Sequence, residues 1–498
     1  MKLKRCFLLS PSTVSVLFTT DAFSKFDVVI VDEASQLEPT SAIPLLLRTK
    51  QCLFVGDEWQ MPPIQHFGKG SEHAMVGEDG EMIFLPPDTS LLGLALANEQ
   101  FKTAELRCHY RSETEALIAY SQHRYYPYMN TFPTPIPKAF GLGFTDCYVP
   151  DGYSDGGENI EEAKVAVEKL REHFKYYYDP DTGILSESVG VVAYGTSQLK
   201  CIESVYRKDT ELVKMVERAL GNFKDLPEKL IFFKTVESVQ GQEIDHMILS
   251  LAYGKNKQGR IIEAFGDLNR GIGECILNVA VTRARKSITV IHSILHTEIE
   301  NPLIKEYLEY VARFSEGGKA QFVEDGDHKK LGFVRSIIDF IVKEGHISED
   351  RIALNCGATE GSIRIPLAIL NEERTEAKLA IFCEYPIAGE RYTDFMGKYT
   401  DILKNRGWNI YRIFAHDWID NAVAEREELL RVLRKFVAPD SPDKKGKGEA
   451  EQTTLTTDLV DDILPTSEDT AEVTDSIDDI LFESDPKRVD DDSTLQLN

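Results

Sequence analysis

The chain has 498 residues with 82 acidic and 56 basic side chains, a formal net charge of −26 at pH 7. That balance is not one that grips phosphate backbones through bulk positive charge. Eight cysteines scattered without a CxxC pair argue for a reducing, cytosolic setting and against a zinc module or disulfide framework. No stretch approaches the roughly 18–20 apolar residues of a membrane span, and the length leaves room for about three domains.

In chain order, MKLKRCFLLSPSTVSVLF imitates a secretory signal, but Pro11 and several hydroxyl residues interrupt its apolar run. Cys6 to Leu9 reads as strand-like, with Ser10 and Pro11 as a turn after it. Val28 to Val31 is a β-branched run of the kind buried on both faces of a parallel sheet, ending in Asp32 and Glu33. Such an edge is where α/β sheets place ligands. Adjacent acids there suit phosphoryl chemistry: Asp32 for a magnesium ion through its water shell, Glu33 to orient and deprotonate an attacking water. A second apolar strand, Cys52 to Val55, delivers Gly56, Asp57, Glu58, Trp59, Gln60, Met61, Pro62 and Pro63 to the same edge, and Gln60 is placed to sense a terminal phosphate. Trp59 reads as packed rather than as a base-stacking platform. The Gly-rich, acidic stretch around Gly68 to Gly80 reads as an inserted loop.

Further along, LRCHYRS, KTVESVQGQE and LNVAVTRAR follow in order, with a helix over Glu161 to Phe174, a buried strand over Val189 to Ala193 and another over Met247 to Leu251 between them. Asn159, Glu162 and Ala163 stand at the start of that helix. A helical connector near Asn301 to Phe314 leads to a separate unit: an amphipathic Gly332 to Glu344, a strand pair over Ser362 to Leu370 and Lys378 to Glu384, and a strand over Trp408 to Phe414. From about Pro439 the chain is acidic and poor in aromatics, with 17 acids against five basic residues from Ser441 to Asn498, the composition of a disordered tail. Within it, LVDDIL at Leu459 to Leu464 and IDDIL at Ile477 to Leu481 form a small repeat that reads either as a coincidental solvated segment or as a motif that docks a protein partner.

The five motifs DEASQ, GDxxQxPP, LRxHYRS, TVxSxQGxExD and LNVAxTRAR resemble superfamily 1 helicases of the 5′-to-3′ branch related to the nonsense-mediated-decay helicase, over residues from the N-terminus to about Phe436. The HYRS form followed by EALIAYSQHRYY is similar to a bacterial subset with a nuclease-like domain after the motor. The resemblance implies ATP and Mg2+, with Asp32 as metal ligand, Glu33 as general base, and Arg111 and Arg283 as arginines brought by a second RecA-like lobe. It implies nucleotide-site roles for Gln36, Gln60, Gln240 and Glu243, and contacts from Ser10, Thr235 and Ser238 to single-stranded nucleic acid, DNA favoured over RNA. Arg285 reads as a supporting salt-bridge residue, and His109 stands where many relatives have glutamine.

The resemblance also sets the expected fold: α/β, with part of a first RecA-like lobe over 1–100, a complete second lobe over 101–296, a helical connector over 297–330, a restriction-endonuclease-like domain over 331–438 and a disordered acidic tail over 439–498. Two departures matter. No GxxxxGKS or GxxxxGKT string exists in the chain, so the phosphate-binding loop of such motors is absent from it. The expectation is a C-terminal piece of a larger motor, not competent alone, with an intact motor segment acting in trans as a further possibility. In the nuclease-like unit, Pro366 and Phe382 stand where the pattern wants acids, leaving Glu384 alone, too few oxygens for magnesium. The expectation there is a domain that has lost cleavage, unless an acid such as Asp394 migrates into the site. The three function classes are therefore a helicase or translocase, an ATPase-dead binding module, and a helicase-nuclease effector.

Overall fold

The computed structural model describes residues 6–18, 26–63, 73–76, 82–85, 90–135, 143–261, 268, 272–315, 332–357, 361–384 and 398–437. The described residues all lie within 1–440, which form one compact unit; the acidic tail and its repeat lie outside the described residues, as does Asp394.

The first region holds two short parallel strands, β1 (Val29–Val31) and β2 (Cys52–Phe54), in register Val29 to Cys52 through Val31 to Phe54. Val31 is buried, packing with Ala34, Ala42, Leu45, Leu91 and Leu92. Ile30 is 65% exposed and Leu53 54% exposed. The expectation of a strand buried on both faces therefore fails, because only two strands pair and no described element covers the face that carries Ile30. Cys6 to Leu9 forms no strand either; it runs into the helix Pro11–Leu17, whose N-cap is Ser10. The stretch read as an inserted loop contains β3 (His73–Val76), which pairs antiparallel with β4 (Met82–Leu85).

The central region is a five-stranded, wholly parallel sheet: β5 (Gly143–Tyr148), β6 (Val189–Ala193), β7 (Ile231–Thr235), β8 (Ile244–Gly254) and β9 (Ala284–Ser293), in spatial order β5-β9-β8-β6-β7. Alternation along each strand divides its apolar residues between two cores. On β8, Met247, Leu249 and Leu251 face one side and Ile248 the other. One core is closed by the helices Ile160–Tyr177, Thr196–Lys208 and Thr210–Asn222. The other is closed by Ala116–Arg124, Gly273–Val281 and Pro302–Ser315. The last helix corrects the expected connector: Ile304, Tyr307, Leu308 and Val311 are buried in this core, so the helix belongs to the central region rather than leaving it. Each such apolar side chain, fully buried, contributes about 1.5–3 kcal/mol.

The third region is a four-stranded sheet in order β10 (Ile352–Cys356), β11 (Ile365–Leu370), β12 (Ala377–Glu384), β13 (Ile410–Phe414), antiparallel except for the parallel β12–β13 pair. One face packs on the helices Gly332–Lys343 and Ala422–Phe436. The other face includes Phe132, a residue of the central region, beside Ile365, Ala380, Phe382, Leu403 and Trp408. A boundary at 331 therefore misses part of this unit's core.

Candidate active site between the first and central regions

At the end of β1, Glu33 adopts a left-handed backbone with φ 51°, a conformation that is uncommon outside glycine and worth a functional reading. The turn is fixed locally. The Glu33 N–H donates to Asp32 Oδ1 at 3.0 Å, Gln36 Nε2 donates to Glu33 Oε2 at 3.1 Å, and the Ala34 N–H reaches Val55 O at 2.9 Å. Gly56 lies close beside it: a Cβ there would stand 3.1 Å from the Ser35 N and 3.2 Å from the Ala34 N, tighter than ordinary contact. Asp32, Glu33 and Gln36 are all exposed, so the two carboxylates open to solvent at a strand's carboxyl end. Two hard oxygen donors fit Mg2+, which is held by one or two carboxylates together with water and substrate phosphates. Asp32 would hold the ion, which would supply charge neutralisation at bound phosphates, and the neighbouring Glu33 carboxylate would be free to accept a proton.

The Gly56–Pro63 segment docks on the central region. Asp57 accepts from the Trp59 N–H at 2.9 Å, from Gln60 Nε2 at 3.1 Å and from the Tyr126 hydroxyl at 2.7 Å. Asn278 Nδ2 donates to Trp59 O at 2.8 Å and to the Tyr126 oxygen at 2.6 Å. Burial and the Asp57 charge push the Tyr126 phenol up, so it remains a donor. Trp59 packs as expected, with its ring centroid 5.1 Å from that of Tyr125.

Gln60 is the point where the regions meet. Its Oε1 accepts from Arg283 Nη2 at 3.3 Å and from Gln240 Nε2 at 3.4 Å. Arg283 is buried, its Nε fixed on Val279 O at 3.0 Å. Burial, then the nearby Arg111, lowers its pKa, while the Glu33 and Glu243 carboxylates oppose the fall. Arg111 Nε pairs with Glu243 Oε1 at 2.7 Å. Thus residues predicted from five separate motifs gather around Arg283: Gln60 by hydrogen bond, Gln240 through Gln60, and Arg111, Glu33 and Glu243 as the charges near it. Arg285 pairs with Asp245 at 3.5 Å and Glu113 at 3.9 Å, the supporting role expected of it.

His109 shapes the turn before Arg111. Its Nε2 accepts from the Ser112 N–H at 3.1 Å and lies 2.9 Å from Ser112 Oγ. Burial, then the positive charges of Arg406 and Arg111, push its pKa down to about 3. The ring is therefore a neutral structural acceptor. Thr235 and Ser238 lie together at the far end of β7, their hydroxyls 3.2 Å apart. Ser10 caps its own helix through the Thr13 N–H at 3.2 Å and makes no described contact with that pair. Asn159 and Glu162 are more than a helix start. Glu162 is fully buried and accepts from Ser250 Oγ at 2.7 Å, the Ala252 N–H at 2.8 Å and Ser293 Oγ at 2.9 Å, and burial still raises its pKa to about 7.

Sequence reasoning missed Asp57, Tyr126 and Asn278, whose signal was only their place inside or beside recognised motifs. It also missed Tyr110, 79% exposed next to Arg111. In the third region, Pro366 lies within β11, Phe382 is buried in the core shared with Phe132, and Glu384 pairs with Arg412 Nη1 at 2.5 Å. Arg412 also donates to Thr400 Oγ1 at 2.6 Å and stands 5.1 Å from the Phe382 ring centroid. A guanidinium thus takes the place beside the acid that a divalent cation would need. Among the described residues, no group of three or more His, Cys, Asp or Glu side chains is arranged to hold a metal.

Two family models, each described as an AAA domain, match residues 9–66 and 95–294, and curated relatives named as ATP-dependent helicases support an enzyme of helicase type. An uncharacterized ATP-dependent helicase of Mycoplasma genitalium is 26% identical over 80% of this chain and 36% of its own length. Regulator of nonsense transcripts 1 of Dictyostelium discoideum is 27% identical over 54% of this chain and 18% of its own. The chain spans about a third or less of these relatives. An arterivirus non-structural protein 10 (helicase) structure covers 55% of this chain and 40% of its own at 15% identity with a TM-score of 0.26, a likeness too low to carry weight.

Proposed function

We propose that the cleft hydrolyses ATP and couples turnover to movement along single-stranded nucleic acid, as part of a helicase or translocase. The observation that carries this is Gln60 of the first region accepting from both Arg283 and Gln240 of the central region. One side chain that would face the terminal phosphate is thereby tied to an arginine and to the segment leading to Thr235 and Ser238. In this reading Glu33 takes the proton of the attacking water, Arg111 and Arg283 stabilise charge on the transferring phosphoryl group, and exposed Tyr110 offers a face for the purine. Arg111 reaches the phosphate by exchanging Glu243 for it. Thr235, Ser238 and Ser10 contact the nucleic-acid backbone, DNA favoured over RNA.

The 498 residues contain no GxxxxGKS/T string, so ATP is held for turnover only when such a loop is supplied from outside them, in a longer polypeptide or by a partner. The third region is a restriction-endonuclease-like domain without cleavage, because Glu384 is already committed to Arg412. Nucleic-acid-stimulated ATP hydrolysis, with and without a phosphate loop supplied, tests the first reading. Activity with the loop, abolished by Glu33→Gln, supports it; no activity in either form leaves a binding module. Mg2+- or Mn2+-dependent nicking of DNA by the full chain would overturn the second.

A further inference from the structure

The third region is joined to the motor at the segment that carries Arg111. The segment Thr131–Pro135 adds its backbone to the domain: the Thr131 N–H donates to Gly361 O at 3.0 Å and the Ile363 N–H to Thr131 O at 2.8 Å. Trp408 Nε1 donates to Pro133 O at 2.8 Å, and the Ala377 N–H to Pro135 O at 2.6 Å. Phe132 sits in the domain's core. The approach is close enough to require Gly361, where a Cβ would stand 2.4 Å from Met129 O and 2.6 Å from Gln122 Nε2.

Two acids just after Arg111 complete the joint. Glu115 is buried, and its carboxylate accepts from the hydroxyls of both Thr131 and Ser362. Arg406 Nη1 donates to Glu113 O at 3.3 Å and to Phe132 O at 3.5 Å, with its guanidinium 5.7 Å from the Phe132 ring centroid. On its other side Glu113 donates its N–H to Arg285 O at 2.6 Å, on the strand that follows Arg283. The His109 N–H is itself held by Asn130 O at 2.9 Å, one residue before Thr131. A single residue, Ser112, therefore separates the Arg406 contact at Glu113 from Arg111 along the main chain.

We propose that the C-terminal domain is a positioning element of the motor: Arg406, acting through Glu113, and Ser362, acting through Glu115, set where Arg111 stands relative to Arg283 and Gln60. This rests on the reading of Arg111 as a nucleotide-site residue. Neither Arg406 nor Ser362 touches the nucleotide cleft, so they are positioning residues, not catalytic ones. A ligand that shifts the domain is felt at the cleft through Glu113 and Ser112, which gives a nuclease-like fold without cleavage a use in the motor.

The test is amide hydrogen exchange on the full chain, with Arg406→Met, Arg406→Lys, Ser362→Ala and, as a control within the same domain, Arg412→Met. Expected in Arg406→Met is a rise in exchange of about tenfold or more at the His109, Ser112 and Glu113 amides, with β11 and β12 unchanged, as for a local opening. Ser362→Ala gives the same pattern at smaller size, Arg406→Lys returns it toward wild type, and Arg412→Met does not produce it. Unchanged exchange at those three amides in both Arg406→Met and Ser362→Ala overturns the proposal, as does an equal rise across β11 and β12 in both. In the loop-supplied form, Arg406→Met lowers kcat for ATP by about tenfold with KM held within about twofold, the mark of lost transition-state contacts. The exchange readout does not require turnover, so absence of ATP hydrolysis in wild type would strike the proposed function and leave this result to be read on its own.

Discussion

Two of the protein's arginine–carboxylate pairs, Arg111–Glu243 and Arg412–Glu384, are built from the same chemistry and differ in their surroundings. Arg111 and Glu243 meet at 2.7 Å with side chains 35% and 49% exposed, whereas Arg412 and Glu384 meet at 2.5 Å with 19% and 18%. The first pair sits in solvent, where such a contact contributes about 0.2–1 kcal/mol, so parting it costs little. The second is enclosed, with Thr400 and the Phe382 ring also holding the guanidinium, and exchange there would strand a charge in a low-dielectric setting. Exposure, not residue identity, decides which pair can serve a reaction.

That contrast can be broken in several ways. Arg111→Ala or Arg283→Ala should lower kcat in the loop-supplied form by about 10³-fold or more, and Arg285→Ala by far less; equal losses at all three would erase the distinction between cleft and support. Glu384→Gln should cost about 2 kcal/mol, by loss of a charged hydrogen bond to an enclosed arginine, read as a lower urea midpoint with ATP turnover unchanged. Glu243→Gln should cost less than about 1 kcal/mol in the same titration.

A pH-dependent effect follows from His109, whose folded pKa lies at about 3, below the ordinary value of 6.5. Between those values the unfolded chain binds a proton that the folded one does not, so this group's contribution is full above 6.5 and is lost as pH falls. The slope is at most about 1.4 kcal/mol per pH unit. Comparing urea midpoints at pH 7 and pH 5 checks it: His109→Gln should flatten the change, because a side-chain amide oxygen can still accept from Ser112 without taking up a proton. An unchanged slope would mean that the ring is not the group responsible.

How much of this was legible beforehand differs between cleft and joint. Glu33, Gln60, Arg111, Gln240, Glu243 and Arg283 announce themselves because each closes a strand or a turn within a recognisable string, and the structure gathers them. Val28 to Val31 misled, because a β-branched run reports apolarity and not what covers it; Ile30 is largely exposed. The helix Pro302–Ser315 was legible as a helix but not as part of the central core, since its period shows a buried face without naming the surface it meets. Phe132, Arg406 and Trp408 were silent for the same reason: their contacts span more than 270 residues of sequence, and no local pattern encodes them.

The central claim is that the first and central regions meet on one nucleotide site through Gln60. A double-mutant cycle of Gln60→Ala and Arg283→Ala, read as kcat for nucleic-acid-stimulated ATP hydrolysis in the loop-supplied form, tests it most directly. The account predicts a coupling of about 1 kcal/mol or more, the double variant losing much less than the two single losses combined. Additive losses would show that the two side chains act apart and would contradict it.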